Sequence, residues 1–471
     1  MNHFQFVDRY IRALKHVANK PSRRHFLGAS AASLGLAGLS GSAWLPSVAS
    51  QTSALGAHEY RALMIIFLNG GYDGNDTLLF RDAGFRDYQN TRSGLALSRD
   101  SVIALAKGTQ GQQLGMNPAL EPLLSIYNEG RLAWLANVGA LVQPVSAAQV
   151  KARSVPLPPF LMSHSEQVDL VQGWDPAELP SGWVGRGMEM LGVSPNVSLP
   201  IISFSRDNTL VTGQRNSFAR ADASGGDRNW MGDVTDRSNT WMRQVRYLAQ
   251  MQPNSAQESE YLRAMADSLS NTESIANAAM RQSSNRVSFP ANDLGRDLGF
   301  AARLMTHYRS EGAQRQVYFT TYGQFDTHSE QRGDYQGRGL DDQFRAVASA
   351  VKAFDDELKA RSLDRHVLTL VMTEFGRTLM PAGSGTDHAW GVPWALIGSA
   401  VRGGQVYGQM PPPVIGSSFD FDPDGKGRWV PEFAADQVGA TLMSWMGVRD
   451  EDLLRLSPHL RNFPTAKLAL L

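Results

Sequence analysis

Six short apolar runs, at 63–68, 132–138, 201–204, 317–321, 367–372 and 394–397, punctuate this 471-residue chain, with segments of helical periodicity between them. Apolar residues that follow one another without polar alternation need cover on both faces, which is the condition of strands inside a parallel sheet. Between the fourth and fifth runs, the stretch from Leu340 to Leu363 carries Phe344, Val347, Ala348, Val351, Phe354 and Leu358 at three-to-four spacing, the pattern of an amphipathic crossover helix. Asn117-Pro118-Ala119 opens another helix toward Tyr127. A third, from Ala434 to Trp445, has Val438, Leu442 and Trp445 on one face, and Gly130 and Gly447 provide stops. The alternation predicts an α/β fold, a mostly parallel sheet with helices on both faces, whose ligands bind beyond the carboxyl ends of the strands. From Asp207 to Asn292 the composition turns to Asn, Ser, Gln, Arg and Met, predicting a polar helical insertion or cap. The Gly- and Pro-rich stretch from Gly403 to Pro423 predicts a long surface loop.

Ahead of the first run, Ser22-Arg23-Arg24-His25-Phe26-Leu27 places paired arginines before an apolar stretch diluted by Gly28, Gly35, Gly38 and Gly41. This pattern reads as a twin-arginine export signal, too weakly apolar for a stable transmembrane span. Ser47-Val48-Ala49 supplies small residues for cleavage, so residues 1–49 are expected to be removed and 50–471 to form the mature domain, periplasmic or secreted. The twin-arginine translocase is then a partner during export. Six of the 45 basic residues but one of the 45 acidic ones precede Ser50, leaving 39 against 44 and a net charge of −5. Such a balance gives no footing for a nucleic-acid partner. With no cysteine, disulfides, thiolate ligands, iron–sulfur clusters and a cysteine nucleophile are excluded.

Chemistry-bearing residues collect where the runs end. After the first run comes Asn69-Gly70-Gly71-Tyr72-Asp73-Gly74-Asn75, in which Asp73 reads either as a metal ligand or as the anchor of an Asx turn with Asn75. The run 317–321 leads to Asp326 and His328, two residues apart and therefore on one side of an extended chain, able to meet one cation; helix capping by Asp326 is the alternative. The run 367–372 leads to Glu374 and Arg377, where burial demands that the carboxylate find a metal, Arg377 or several N–H donors. If a metal takes Glu374, Arg377 is free for a phosphate or sulfate oxyanion. Gly385-Thr386-Asp387-His388 adds an acid and an imidazole in a glycine-flanked loop, as ligands or as a surface pair. Ser163 and Glu166 stand at capping-box spacing, so Ser163 is a helix cap or a nucleophile, and His164 a ligand, a proton shuttle or a packed ring. Carboxylates with neutral imidazoles suit a divalent cation such as Zn, Mn or Ca.

In order along the chain, the paired arginines, Gly70-Gly71-Tyr72-Asp73-Gly74, Ser163-His164, Asp326-Thr327-His328, Glu374-Phe375-Gly376-Arg377, Gly385-Thr386-Asp387-His388 and Val401-Arg402-Gly403-Gly404 resemble a bacterial exported family, number 1501 among domains of unknown function. That family is similar in fold to the alkaline phosphatase and sulfatase superfamily. The resemblance implies metal ligands at Asp73, Asp326, His328, Glu374 and His388, with a nucleophile near Ser163. Three departures accompany it. Glu374-Phe375 stands where the superfamily has Asp-His, the Asp326 to His328 spacing is shortened, and no Cys or Ser is followed by x-Pro-x-Arg. Asp387 is the candidate replacement ligand. The expected function is an exported metal-dependent hydrolase of phosphate or sulfate esters, acting on a small anionic ester. The alternative is a non-catalytic protein that binds a cell-envelope ligand.

Overall fold

A computed structural model describes residues 59–471 apart from 107–110, 174–180, 193–198, 215–217, 224–227, 230–231, 234–235, 283 and 334–338. The proposed leader, with Arg23, Arg24 and the cleavage point before Ser50, lies outside the described residues. The main sheet has nine strands: β1 (Arg61–Leu68), β2 (Leu132–Gly139), β3 (Ile201–Ser203), β4 (Ala219–Arg220), β5 (Arg315–Tyr322), β6 (Val367–Met372), β9 (Val392–Ile397), β10 (Gln405–Tyr407) and β11 (Phe433–Ala434). A separate hairpin, β7 (Arg377–Ala382) and β8 (Gly385–His388), is inserted between β6 and β9.

Across the sheet the order is β10-β2-β9-β6-β1-β5-β3-β4, with β11 on the far end of β2. Every pairing is parallel except those of β9, which runs antiparallel to both β6 and β2. The expected mostly parallel α/β sheet is therefore present, made mixed by one internal strand. The run at 394–397 could not disclose its direction, because a strand buried on both faces is uniformly apolar whichever way it points. Phe67 stands beside Thr321 and Met372, so β1, β5 and β6 end level with one another. Their carboxyl-terminal loops leave from one edge.

Helices supply the cover. In chain order the ones used below are α1 (Gly84–Arg92), α2 (His164–Gly173), α3 (Trp183–Met190), α4 (Thr240–Ala249), α5 (Ala256–Arg281), α6 (Asp293–Ser310), α7 (Leu340–Ala360) and α8 (Ala435–Met446). All six apolar positions read from the sequence of α7 are buried, and the helix packs with α6 and the 3-10 segment Pro118–Leu123. That segment was read as an α-helix, but Pro122 inside it lacks the N–H an α-turn needs, and α-helix begins only at Leu124. On α8, Gly447 ends the helix in the left-handed region at φ 112°, as its position suggested. Since Ala62 to Leu68 are all buried, both faces of the sheet centre are covered. The stretch 403–423 is not loop throughout: β10 lies in it and adds a strand to β2.

Within 207–292, α4 and α5 pack through Met242, Val245, Leu269 and Ala276, a cluster separate from the main core. An Arg246 to Glu273 ion pair at 2.5 Å joins the two helices. Among the described residues, no helix is long and apolar enough to cross a membrane.

One buried acid gives the fold a pH signature. Asp436, in the first turn of α8, has its carboxyl pushed up to about 7 by burial, against the opposing pull of a hydrogen bond from Ser457 Oγ. A folded-state value above the unfolded one means the native protein holds the extra proton, so this contribution is full below about pH 4 and is lost as pH rises through about 7. Asp436→Asn is expected to remove that dependence. Melting temperatures of wild type and variant, compared between pH 4 and 8, should separate progressively as pH rises, with the variant the more stable at the upper end.

Candidate metal centre

The site is assembled at the level edge of β1, β5 and β6. Asn69 continues β1, donating its N–H to Tyr322 O at 3.0 Å and accepting from Phe325 N at 2.7 Å, which ties the two strand exits together. The tie leaves no space for a side chain at Gly70, where φ is 106° and a Cβ would stand 2.4 Å from Asp326 N. Asp326 and His328 follow from β5, and Glu374 follows from β6 through Thr373. The β7–β8 hairpin pairs Arg377 with His388 and folds the latter back over the edge. Opposite them, α2 begins at His164.

Four side chains converge. His164 Nε2 lies 3.1 Å from His388 Nε2, and His328 Nε2 lies 2.9 Å from the same atom. The Asp326 carboxylate meets all three rings, at 3.4 Å from His164 Nε2, 3.0 Å from His328 Nε2 and 3.3 Å from His388 Nε2. The far side of two rings is already committed. His164 Nδ1 faces Glu374 Oε1 at 2.9 Å and His388 Nδ1 faces Met162 O at 2.8 Å. A carboxylate and a carbonyl can only accept, so each Nδ1 carries the hydrogen and each neutral ring presents an Nε2 lone pair to the other. Two lone pairs 3.1 Å apart repel unless a proton or a cation lies between them.

The donor set fits a small divalent cation. Tetrahedral coordination with bonds of about 2.0–2.1 Å separates neighbouring ligand atoms by about 3.3–3.4 Å, close to the 3.1–3.4 Å spacing among His164, Asp326 and His388. Nitrogen and carboxylate donors suit Zn or Mn better than Ca, which takes oxygen ligands. The outer hydrogen bonds from Glu374 and Met162 are the kind that orient histidine ligands. Among the described residues, two overlapping groups are close enough to share an ion: His164, Asp326 and His388, and His328, Asp387 and His388.

The electrostatics of His164, His388 and Asp326 differ. Burial depresses His164, but the hydrogen bond and charge of Glu374, with the charge of Asp326, outweigh it and leave its pKa raised. His388 is lowered, first by burial and then by the charges of His164 and Arg377. Burial raises Asp326, yet the bonded Arg377, with His164 and His328 nearby, holds it below the usual carboxylate range.

Other residues singled out in the sequence take different places. Glu374 is 2 % exposed and fully engaged: Oε1 accepts from Gly70 N at 2.8 Å as well as facing His164, and Oε2 accepts from Thr373 Oγ1 at 2.8 Å. It supports a ligand instead of facing the others. Arg377 does not pair with it. The guanidinium is buried, bonded to Asp326 Oδ1 at 2.7 Å and Thr386 O at 2.8 Å, and has no free edge for an oxyanion. Ser163 Oγ donates to the Glu166 carboxylate, a side-chain contact and not the side-chain-to-backbone bonds of a capping box. Asp387 accepts from His388 N at 2.8 Å while Lys426 and Arg428 hold its other oxygen at 3.1 and 3.2 Å, and these contacts keep its carboxyl low against the effect of burial. Asp73 is not brought to the histidines. It forms the Asx turn, accepting from Asn75 N at 3.0 Å, and its other oxygen is buried against Arg92 and Gln331.

Three supporting residues left no trace in the sequence reading. Arg92, wholly buried at the end of α1, bonds Asp73, lies 3.1 Å from Asp76 and donates to Thr378 O and Leu379 O of β7. Gln331 donates to Asp73 and accepts from Thr327 Oγ1 at 3.1 Å and Thr386 Oγ1 at 2.7 Å, the neighbours of Asp326, His328 and Asp387. Arg428 bonds His388 O at 2.8 Å. Gln331 and Arg428 stand three residues after His328 and within the Asp420–Arg428 loop, positions at which only the folded chain reveals a purpose.

The profile of a family described as "Protein of unknown function (DUF1501)" matches residues 60–416. No curated protein matches the sequence. Solved structures similar in backbone include a protein in the alkaline phosphatase superfamily from Vibrio parahaemolyticus, at 10% identity over 83% of this chain and 67% of that one, TM-score 0.36. The lipoteichoic acid synthase LtaP from Listeria monocytogenes is similar at 9% identity over 86% and 77%, TM-score 0.35. The C-terminal periplasmic domain of EcEptC from Escherichia coli, in complex with Zn, is similar at 9% identity over 83% of each chain, TM-score 0.33. Likeness at this level is one of general architecture and carries no argument about activity.

Removing Arg92 tests the foundation of the site. Arg92→Met leaves the carboxylates of Asp73 and Asp76 buried without their shared cation, and is expected to cost about 3–5 kcal/mol in a denaturation series. A loss below about 1 kcal/mol would show that the pair is not what holds the β1 exit against β7.

Proposed function

The chain belongs to the DUF1501 family, and from the geometry of its site we propose that it is an exported, divalent-metal-dependent hydrolase of phosphate or sulfate esters. The supporting observation is the confrontation of two imidazole lone pairs, His164 Nε2 and His388 Nε2, at 3.1 Å beside an ionised Asp326. His164, His388 and Asp326 would hold the ion, with His328 beside His388 and Asp326. A cation bound there would supply a Lewis acid for an ester oxygen and lower the pKa of water to about 7.

The chain's own groups have distinct parts in this reading. Glu374 and the Met162 carbonyl hold two rings in the ligating tautomer. Arg377 positions Asp326 and keeps it charged, so that the carboxylate, 41 % exposed, can accept a hydrogen bond from the attacking water. Ser163 Oγ donates a hydrogen bond to Glu166, and in this reading the attacking group is Ser163 or a water bound to the ion. His328 and Asp326 face solvent, giving an ester access that a sealed structural site would deny.

A second reading has its own support. If His328 joined His164, His388 and Asp326, protein donors would complete a tetrahedral shell, and closed shells are the mark of structural metal sites. Arg377 is enclosed, so its guanidinium is not free for an oxyanion. On this reading the protein binds a cell-envelope ligand without turning it over.

Elemental analysis of protein taken from the envelope of its own cells, before exposure to chelator, separates the possibilities. About one equivalent of metal in wild type, lost in Asp326→Ala and in His388→Ala at unchanged far-UV circular dichroism, is the expected result. Wild type should then cleave p-nitrophenyl phosphate or p-nitrophenyl sulfate, with activity reduced at least 100-fold in both variants. Metal without turnover would favour the binding protein, and full activity in either variant would refute the ligand assignment. Export by the twin-arginine route predicts that Arg23→Lys with Arg24→Lys retains the protein in the cytoplasm, as read by cell fractionation.

A further inference from the structure

We infer that the cavity adjoining the histidines binds an uncharged polyhydroxyl group, so that the ester processed here is that of a sugar or similar polyol and not of a nucleotide or polyphosphate. The catalytic half of this statement rests on the hydrolase reading; the binding half stands apart from it. The cavity, about 750 Å³, opens directly beside His164 and Asp326, and its polar wall is made by Asn69, Gln324, Ser329 and Glu330.

The side chains of these four are exposed and, among the described residues, make no hydrogen bond with the protein, while the backbones of Asn69, Gln324 and Glu330 are pinned. Asn69 is fixed by its bonds to Tyr322 O and Phe325 N. Gln324 is clamped by the buried amide of Gln343, which accepts from Gln324 N at 2.7 Å and donates to Gln324 O at 3.2 Å. Glu330 is held in the left-handed region at φ 56°, with its N–H on Ser384 Oγ at 3.0 Å and its carbonyl accepting from Gly333 N at 2.9 Å. Free carboxamide, hydroxyl and carboxylate groups on a fixed base can match an array of hydroxyl groups, each of which both donates and accepts.

Charge decides what the cavity rejects. Among the described residues no Lys or Arg lines it, and Arg377 is enclosed by Asp326 and Thr386. Glu330 puts negative charge on its wall, while Asp326 is paired with Arg377. A ligand carrying anionic charge beyond the ester group would meet the carboxylate of Glu330, whereas neutral hydroxyls would meet an acceptor.

The test uses the metal-loaded full chain and calorimetric titration with a panel of methyl hexosides and glycerol as probes of the polyol alone, and uridine diphosphate as the charged comparison. At least one methyl hexoside should bind. Asn69→Ala and Gln324→Ala should each weaken it about 3- to 10-fold, the loss of roughly one hydrogen bond. Uridine diphosphate should bind more weakly than the hexoside, and Glu330→Gln should strengthen it. Failure of the whole panel to bind, unchanged affinity in both alanine variants, or preferential binding of uridine diphosphate would each overturn the inference. Cleavage of p-nitrophenyl esters without polyol binding would sink this proposal and leave the hydrolase reading intact. Polyol binding without ester cleavage would do the reverse.

Discussion

Two hydrogen bonds on the outer edges of imidazole rings govern what the centre of this protein can be. Glu374 accepts a hydrogen bond from His164 Nδ1, and the Met162 carbonyl accepts one from His388 Nδ1. Each acceptor lacks a hydrogen to give, so both rings turn lone pairs inward. The resulting 3.1 Å approach is unfavourable for neutral rings in isolation and favourable with a positive charge between them. Every other feature of the site follows from the need to hold that arrangement. Burying Glu374 requires donors, which Gly70 N and Thr373 Oγ1 provide. Gly70 can approach only because it lacks a Cβ.

Beneath the ligands lies a second charged layer. Asp73 and Asp76 are wholly buried and share Arg92, while Arg332 joins Asp76 to Asp341 at the start of α7. Desolvating these charges is costly, and the return depends on geometry, since a buried carboxylate without its partner is far worse than an apolar residue. The layer thus gives one alignment of the β1 exit, α1, β7 and α7 a large advantage over alternatives. Gln331 couples it upward, with its amide nitrogen on Asp73 and its oxygen on Thr327 and Thr386. The exposed ligands stand on a rigid base and need little contact of their own.

Much of the framework was legible because periodicity is local. The burial pattern of α7 could be read from six apolar positions, and the stop at Gly447 from the backbone freedom of glycine. The direction of β9 was not legible, since burial on both faces erases the pattern that would tell a parallel from an antiparallel strand. The segments holding Asp326, His328 and His388 were legible as acid and imidazole groups after apolar runs. Asp73 and Glu374 carried the same local signal. They differ only in their neighbours: Arg92, 19 residues from Asp73 along the chain, and His164, 210 residues from Glu374.

The sequence by itself determined which segments bury and which carboxylates and imidazoles stand at their ends, because side-chain hydrophobicity and short-range spacing are properties of consecutive residues. Which of those acids face a common point, and which spend their charge on an arginine or on the outer edge of a histidine, was decided only by tertiary structure. Hydrogen bonds and ion pairs act over about 3 Å, and the chain brings residues within that range by folding. His164 shows the division most plainly: a lone imidazole after a proline-rich stretch in the sequence, it becomes a partner of Glu374, Asp326 and His388 once α2 is laid against the strand ends.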